Sequence, residues 1–161
     1  MLFRSGSYLS KMFGILRDYS SSPIEDQLKL WDICVFNFLI GNTDNHIKNL
    51  SLLYGKDLKT IRLAPAYDIV STMIYESSTE NMALSIGGDY SIQKITEESF
   101  EKEATKDGLG VKMAMKRLDT LQKNFAKALN AGAQVLEEQG FEGTKDIAEQ
   151  IMVRGGIRNY I

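Results

Sequence analysis

The sequence predicts a mainly α-helical domain with one small β-hairpin. Apolar residues recur at steps of three and four over most of the chain, and the period changes to β-like runs only around residues 50–63 and, weakly, 82–86. The 161 residues, 43% hydrophobic and 25% charged, are one domain's worth of globular composition. A net charge of −2 and the absence of a long Lys/Arg block leave no electrostatic footprint for nucleic acid, so no direct nucleic-acid binding is expected. Cys34 is the only cysteine, which excludes an intramolecular disulfide and reads as a small buried hydrophobe in a reducing compartment. The longest apolar stretch, Ile33 to Ile40, is interrupted by Asn37 and too short for a bilayer, and no leader pattern opens the chain. A cytoplasmic protein with no membrane partner is expected.

Residues 7–19 place Leu9, Met12, Phe13 and Leu16 at helical spacing after Ser5-Gly6-Ser7. Ser22-Pro23-Ile24-Glu25 then reads as an N-cap, a first-turn proline and a capping box. The helix it opens carries Ile24, Leu28, Trp31, Val35, Phe38 and Leu39, widened by Leu30, Ile33, Cys34 and Phe36 until it must be central and buried. Gly41 can end it in the left-handed conformation. Residues 50–54 and 60–63 are strands joined by a turn at 55–59, and a hairpin returns its far end to its start. Residues 71–80, rich in Ser, Thr and Glu, read as a polar surface loop rather than a phosphorylation switch, and Gly87-Gly88-Asp89 reads as a turn after a strand at 82–86. Thr96 opens a helix that Gly108 can end. A long helix from Val111 to about Leu136 has Met115, Leu118, Leu121, Phe125, Leu129 and Val135 in its stripe, and a last helix at 144–154 turns Ile147 and Ile151 inward. Met73, Met82, Met113 and Met115 read as core or groove fillers.

The central helix delivers the chain into Asn42-Thr43-Asp44-Asn45-His46-Ile47-Lys48-Asn49, and the hairpin brings Asp68 back toward Asn49. Carboxylates, carboxamides, an imidazole and an ammonium gathered this densely compete for partners unless a cation or phosphate organises them. Phosphoryl transfer needs a carboxylate to orient the acceptor hydroxyl and at least two oxygen ligands for magnesium. Asp44 with Asn49 five positions later, and Asp68 beyond the hairpin, supply that inventory, and Lys48 could neutralise charge on the phosphoryl group. Taken alone, Asp44 in Asn-Thr-Asp-Asn reads more readily as an Asx-turn former than as a catalyst, His46 as a loop-orienting histidine and Lys48 as a solvated surface lysine.

The run Phe36-Asn37-Phe38-Leu39-Ile40-Gly41 through Asn49-Leu50-Ser51, followed by Leu63-Ala64-Pro65-Ala66-Tyr67-Asp68-Ile69-Val70-Ser71-Thr72, resembles the signature of HipA-type kinases, the toxin halves of bacterial toxin-antitoxin pairs. The resemblance implies a protein-kinase-like C-lobe over residues 1–161. It implies that Asp44 is the catalytic base, that His46 and Lys48 belong to the same catalytic loop, and that Asn49 and Asp68 hold Mg2+ beside ATP. It also implies partners: an N-terminal lobe, a HipB-like antitoxin and a protein substrate bearing Ser or Thr.

The residues ahead of Asn42 contain no Gly-rich phosphate loop and no strand bearing a phosphate-pairing lysine. The expectation is therefore a C-lobe without its N-lobe, negligibly active alone and with weak affinity at best for magnesium nucleotide. Two other classes stay open at the level of residues. One is a metal-dependent hydrolase holding manganese or zinc on Asp44, His46 and Asp68. The other is a non-catalytic module that docks a partner lobe or an antitoxin.

Overall fold

The structure, a computed structural model, describes residues 8–160. In chain order it comprises α1 (Tyr8–Tyr19), α2 (Pro23–Ile40), β1 (Leu52–Tyr54), β2 (Ile61–Leu63), β3 (Asn81–Ile86), β4 (Asp89–Ser91), α3 (Glu97–Lys106), α4 (Val111–Glu138) and α5 (Thr144–Arg154). Short 3-10 turns lie at Ile47–Asn49, Thr72–Ile74 and Gly156–Tyr160. The stretch Ser5-Gly6-Ser7, read as the start of the first helix, lies outside the described residues.

Helix α2 is the axis of the fold. Leu30, Trp31, Val35, Phe38 and Leu39 are no more than 1% exposed, and α1 and α4 pack against them. Helix α1 contributes Leu9, Met12, Phe13 and Leu16, as its spacing predicts. The Trp31 indole N–H donates to the Ala114 carbonyl at 2.9 Å, so this buried aromatic leaves no polar atom stranded. Phe100 of α3 meets Trp31 and Phe38 edge-on, with centroids 5.7 and 5.3 Å apart. Each such ring contributes about 2 kcal/mol by burial alone.

Two contacts fix where α2 ends and where the hairpin lies. Gly41 adopts φ +74°, and a Cβ there would stand 2.9 Å from Met73 Cβ. Gly155 packs so closely on the last turn of α2 that a Cβ would meet the Leu39 carbonyl at 2.4 Å. At the other end of α2, fully buried Asp26 accepts from Arg62 Nε at 3.1 Å, the Leu63 amide at 2.9 Å and the Ser20 hydroxyl at 2.6 Å. A helix carboxylate thus grips strand β2. Burial opposes its ionisation, but the Arg62 guanidinium and these other donors outweigh it and hold the Asp26 pKa at about 2.

Strands β1 and β2 pair antiparallel with Leu52 opposite Leu63 and Tyr54 opposite Ile61. The turn between them is closed by Asp57, which accepts from the Lys59 and Thr60 amides at 3.0 and 2.9 Å.

Several expectations need correction. Among the described residues there are two hairpins, because β4 pairs with β3, Ile86 opposite Asp89 and Asn81 opposite Ser91. Asp89-Tyr90-Ser91 is too short and too polar to show a strand period. The capping box at Ser22 does not form. The Ser22 side chain makes no cap bond, and Glu25 instead pairs at 2.8 Å with Lys29 and with Arg62, charges that outcompete a backbone amide. Ile24 is 77% exposed, since Asp26 and Gln27 take the inward direction at that turn. Val135, Ile147 and Met113 also face outward. Near the end of α4, Ala133 is the buried residue, and α5 presents Ala148 and Ile151 rather than Ile147.

Candidate functional site

The segment 42–49 leaves α2 through Gly41, and its backbone is held from three directions. The Thr43 N–H donates to the Thr72 hydroxyl at 2.9 Å, and the Thr43 carbonyl accepts from the Ala83 amide of β3 at 2.9 Å. The His46 amide closes onto the Asp44 carbonyl at 2.8 Å, and the Asn49 amide onto the His46 carbonyl at 2.9 Å. The phenol of Tyr67 donates to the Lys48 carbonyl at 2.7 Å, tying the loop to the stretch beyond the hairpin.

The hairpin does return Asp68 to Asn49: the Asn49 carboxamide N–H donates to Asp68 Oδ2 at 2.9 Å. Asn49 is buried and Asp68 exposed, so the pair sits at the protein surface with one end anchored. Asp44 and Lys48 are exposed on the same loop, and His46 is half-buried. Among the described residues their side chains make no hydrogen bond or ion pair with Asn49, Asp68 or one another. His46 Nδ1 is inaccessible and without a partner, so the backbone of His46, not its ring, shapes the loop.

The donor set suits a hard divalent cation. With Nδ2 of Asn49 turned to one carboxylate oxygen, the amide Oδ1 and the second carboxylate oxygen of Asp68 are the atoms that could serve a hard cation, oxygen donors rather than the nitrogen and sulfur ligands zinc favours. Among the described residues no three of His, Cys, Asp and Glu gather closely enough to hold a metal, so the Asp44–His46–Asp68 ligand set of the hydrolase reading is not assembled.

Several residues that hold the site were not singled out from the sequence for that role. Ser71 and Thr72, read as part of a flexible polar loop, are half-buried. Their hydroxyls donate to the Ile40 carbonyl at 2.6 Å and the Gly41 carbonyl at 3.1 Å. A signal existed: the last carbonyls of a buried helix need donors, and a Ser-Thr pair beyond the hairpin could provide them. Asp26 and Arg62, which set the hairpin, gave no such signal across 36 positions.

A family model described as the HipA-like C-terminal domain matches residues 2–131. The chain belongs to the HipA-like C-terminal domain family. Among curated relatives, a Sinorhizobium fredii protein named "Putative kinase Y4mE" is 34% identical over 133 residues, covering 83% of this chain and 30% of the relative. The serine/threonine-protein kinase toxin HipA of Shewanella oneidensis is 27% identical over 108 residues, covering 67% of this chain and 24% of that protein. This HipA-like chain thus spans about a third or less of the length of these relatives. Its fold matches HipA in the solved Shewanella oneidensis complex of HipA, HipB and operator DNA. The TM-score is 0.79 at 21% identity, over 94% of this chain and 36% of that one. No helix among the described residues is long and apolar enough to cross a membrane.

Proposed function

We propose that the chain is the catalytic C-lobe of a HipA-like serine/threonine protein kinase, which transfers the ATP γ-phosphate to a protein hydroxyl once an N-lobe completes it. The observation that supports this reading is the 2.9 Å contact between Asn49 and Asp68, made across the hairpin, with Asp44 exposed on the loop that carries Asn49. Asn49 Oδ1 and the Asp68 carboxylate would hold magnesium, which supplies charge neutralisation at the phosphate oxygens. Asp44, its carboxylate open to solvent and its backbone fixed, orients the acceptor hydroxyl and takes its proton. Lys48 projects from the same loop to meet negative charge on the phosphoryl group. His46 completes the loop between them.

Such a reaction draws on positioning and electrostatics, so half of the clamp should be close to inert. The partners this reading requires are an N-lobe that grips the nucleotide and a substrate with Ser or Thr, and a HipB-like antitoxin is the regulatory partner it brings. The test replaces the matching region of an active HipA-like kinase with this chain and follows transfer of labelled phosphate from ATP. The hybrid should phosphorylate protein, and Asp44→Asn should lower turnover roughly 10²–10⁴-fold without changing the fold. Transfer that is undiminished in Asp44→Asn would remove Asp44 from the mechanism.

A further inference from the structure

Asp68 lies in an exposed stretch. Residues 65–70 are all exposed and, among the described residues, make no backbone–backbone hydrogen bond. Asp68 nevertheless holds φ +57°, a left-handed conformation that an L residue with a side chain seldom adopts without restraint. Among the described residues, the hydrogen bond made to its backbone comes from one side chain. Asn42, 0% exposed, donates from Nδ2 to the Asp68 carbonyl at 3.2 Å and to Asn37 Oδ1 at 2.7 Å. Asn37 is itself oriented, because its own Nδ2 donates to the Ile33 carbonyl at 2.9 Å and so turns Oδ1 toward Asn42. Both partners of the Asn42 amide are acceptors, so only its NH2 end can face them. The Asn42 backbone is fixed to the same helix residue, its N–H meeting the Asn37 carbonyl at 2.8 Å.

We propose that Asn42 is a positioning residue for Asp68: its buried carboxamide ties the Asp68 backbone to α2 and thereby sets the carboxylate against Asn49. The arrangement conducts the rigidity of the central helix to an exposed loop through two carboxamides in series. Its functional meaning rests on the reading of Asn49 and Asp68 as the magnesium pair. Its geometry does not, and the test reads the geometry alone.

The side-chain amides of the metal-free, 15N-labelled chain report it by NMR. In the native protein the Asn42 side-chain amide should exchange slowly with solvent, and the Asn49 amide should carry the shift of a hydrogen-bonded group. Asn42→Ala should accelerate exchange of the Asn49 side-chain amide about tenfold or more, the equivalent of one buried hydrogen bond, and move its shift toward that of a free carboxamide. Backbone amides of α2 and α4 should keep their protection. Asn42→Asp, nearly isosteric but presenting an acceptor to two acceptors, should do the same. Leu118→Ala, which opens the core far from this loop in sequence, should lower the thermal midpoint and leave the Asn49 signal unchanged. An Asn49 amide that is undisturbed in Asn42→Ala overturns the proposal. So does fast exchange of the native Asn42 side chain, which needs no variant to fold. Either result leaves the magnesium reading standing, whereas a failure of cation binding with the Asn42 results as expected removes that reading and keeps this one.

Discussion

At Asp68 a single backbone angle carries a stability cost that substitutions can expose. A left-handed residue with a Cβ is strained by about 1–2 kcal/mol, least for Asp and Asn. Asp68→Val should therefore lower the denaturant-unfolding free energy by about 1–2 kcal/mol. Asp68→Gly should stay within about 0.5 kcal/mol of native, because relief of strain offsets the lost contact with Asn49. Equal losses in the two variants would show that the backbone of residue 68 is unstrained. Spacing marked Asp44, Asn49 and Asp68 as candidate oxygen donors around a predicted hairpin, and the structure brings Asn49 and Asp68 into contact. Their orientation was not. It depends on Asn42, Thr72 and Tyr67, whose hydrogen bonds cross 19 to 29 positions and leave no periodic trace.

Among the elements, the joint between α2 and β2 and the joint between α1 and α3 have opposite pH dependence. Asp26 has a pKa held down at about 2, so its stabilisation is fully present above the ordinary carboxylate value and is lost as pH falls through about 2. Asp26→Asn should reduce stability at neutral pH by roughly 2–3 kcal/mol and flatten the acid limb of the unfolding curve. Asp107, just past α3, runs the other way. Burial, with the neighbouring Glu103 carboxylate adding to it against the opposing Ser10 hydrogen bond, raises its pKa to about 6. A raised acid favours the fold most below its unfolded value and loses that contribution as pH climbs through about 6. Asp107→Asn should therefore raise the thermal midpoint above pH 7 and leave it nearly unchanged at pH 4. A lower midpoint at both pH values would contradict the assignment. Gly155, beside the last turn of α2, has no room for a methyl group, and Gly155→Ala should cost about 2 kcal/mol or more in chemical denaturation. Helix existence was readable because α2 and α4 repeat their apolar stripes over several turns. The failures fell where an ion pair replaced a cap at Ser22, and where a three-residue polar strand had no pattern to show.

For the whole molecule, the sequence led to a mainly helical fold built around α2 and to its family, because both rest on long contiguous patterns. The chain spans about a third or less of the length of its kinase-named relatives, and the proposed kinase reading assigns the rest of the clamp to a separate lobe. The chain alone should give no phosphate transfer above background, and robust phosphorylation by it would show that the lobe needs no completion. The most direct test of the central claim is manganese(II) binding to the 161-residue chain, followed by electron paramagnetic resonance in native and Asp68→Asn proteins. Two oxygen donors on Asn49 and Asp68 predict one saturable site in the millimolar range, weakened about tenfold by Asp68→Asn and unaffected by Asp107→Asn. Identical manganese uptake by native and Asp68→Asn chains, or none by either, would contradict it.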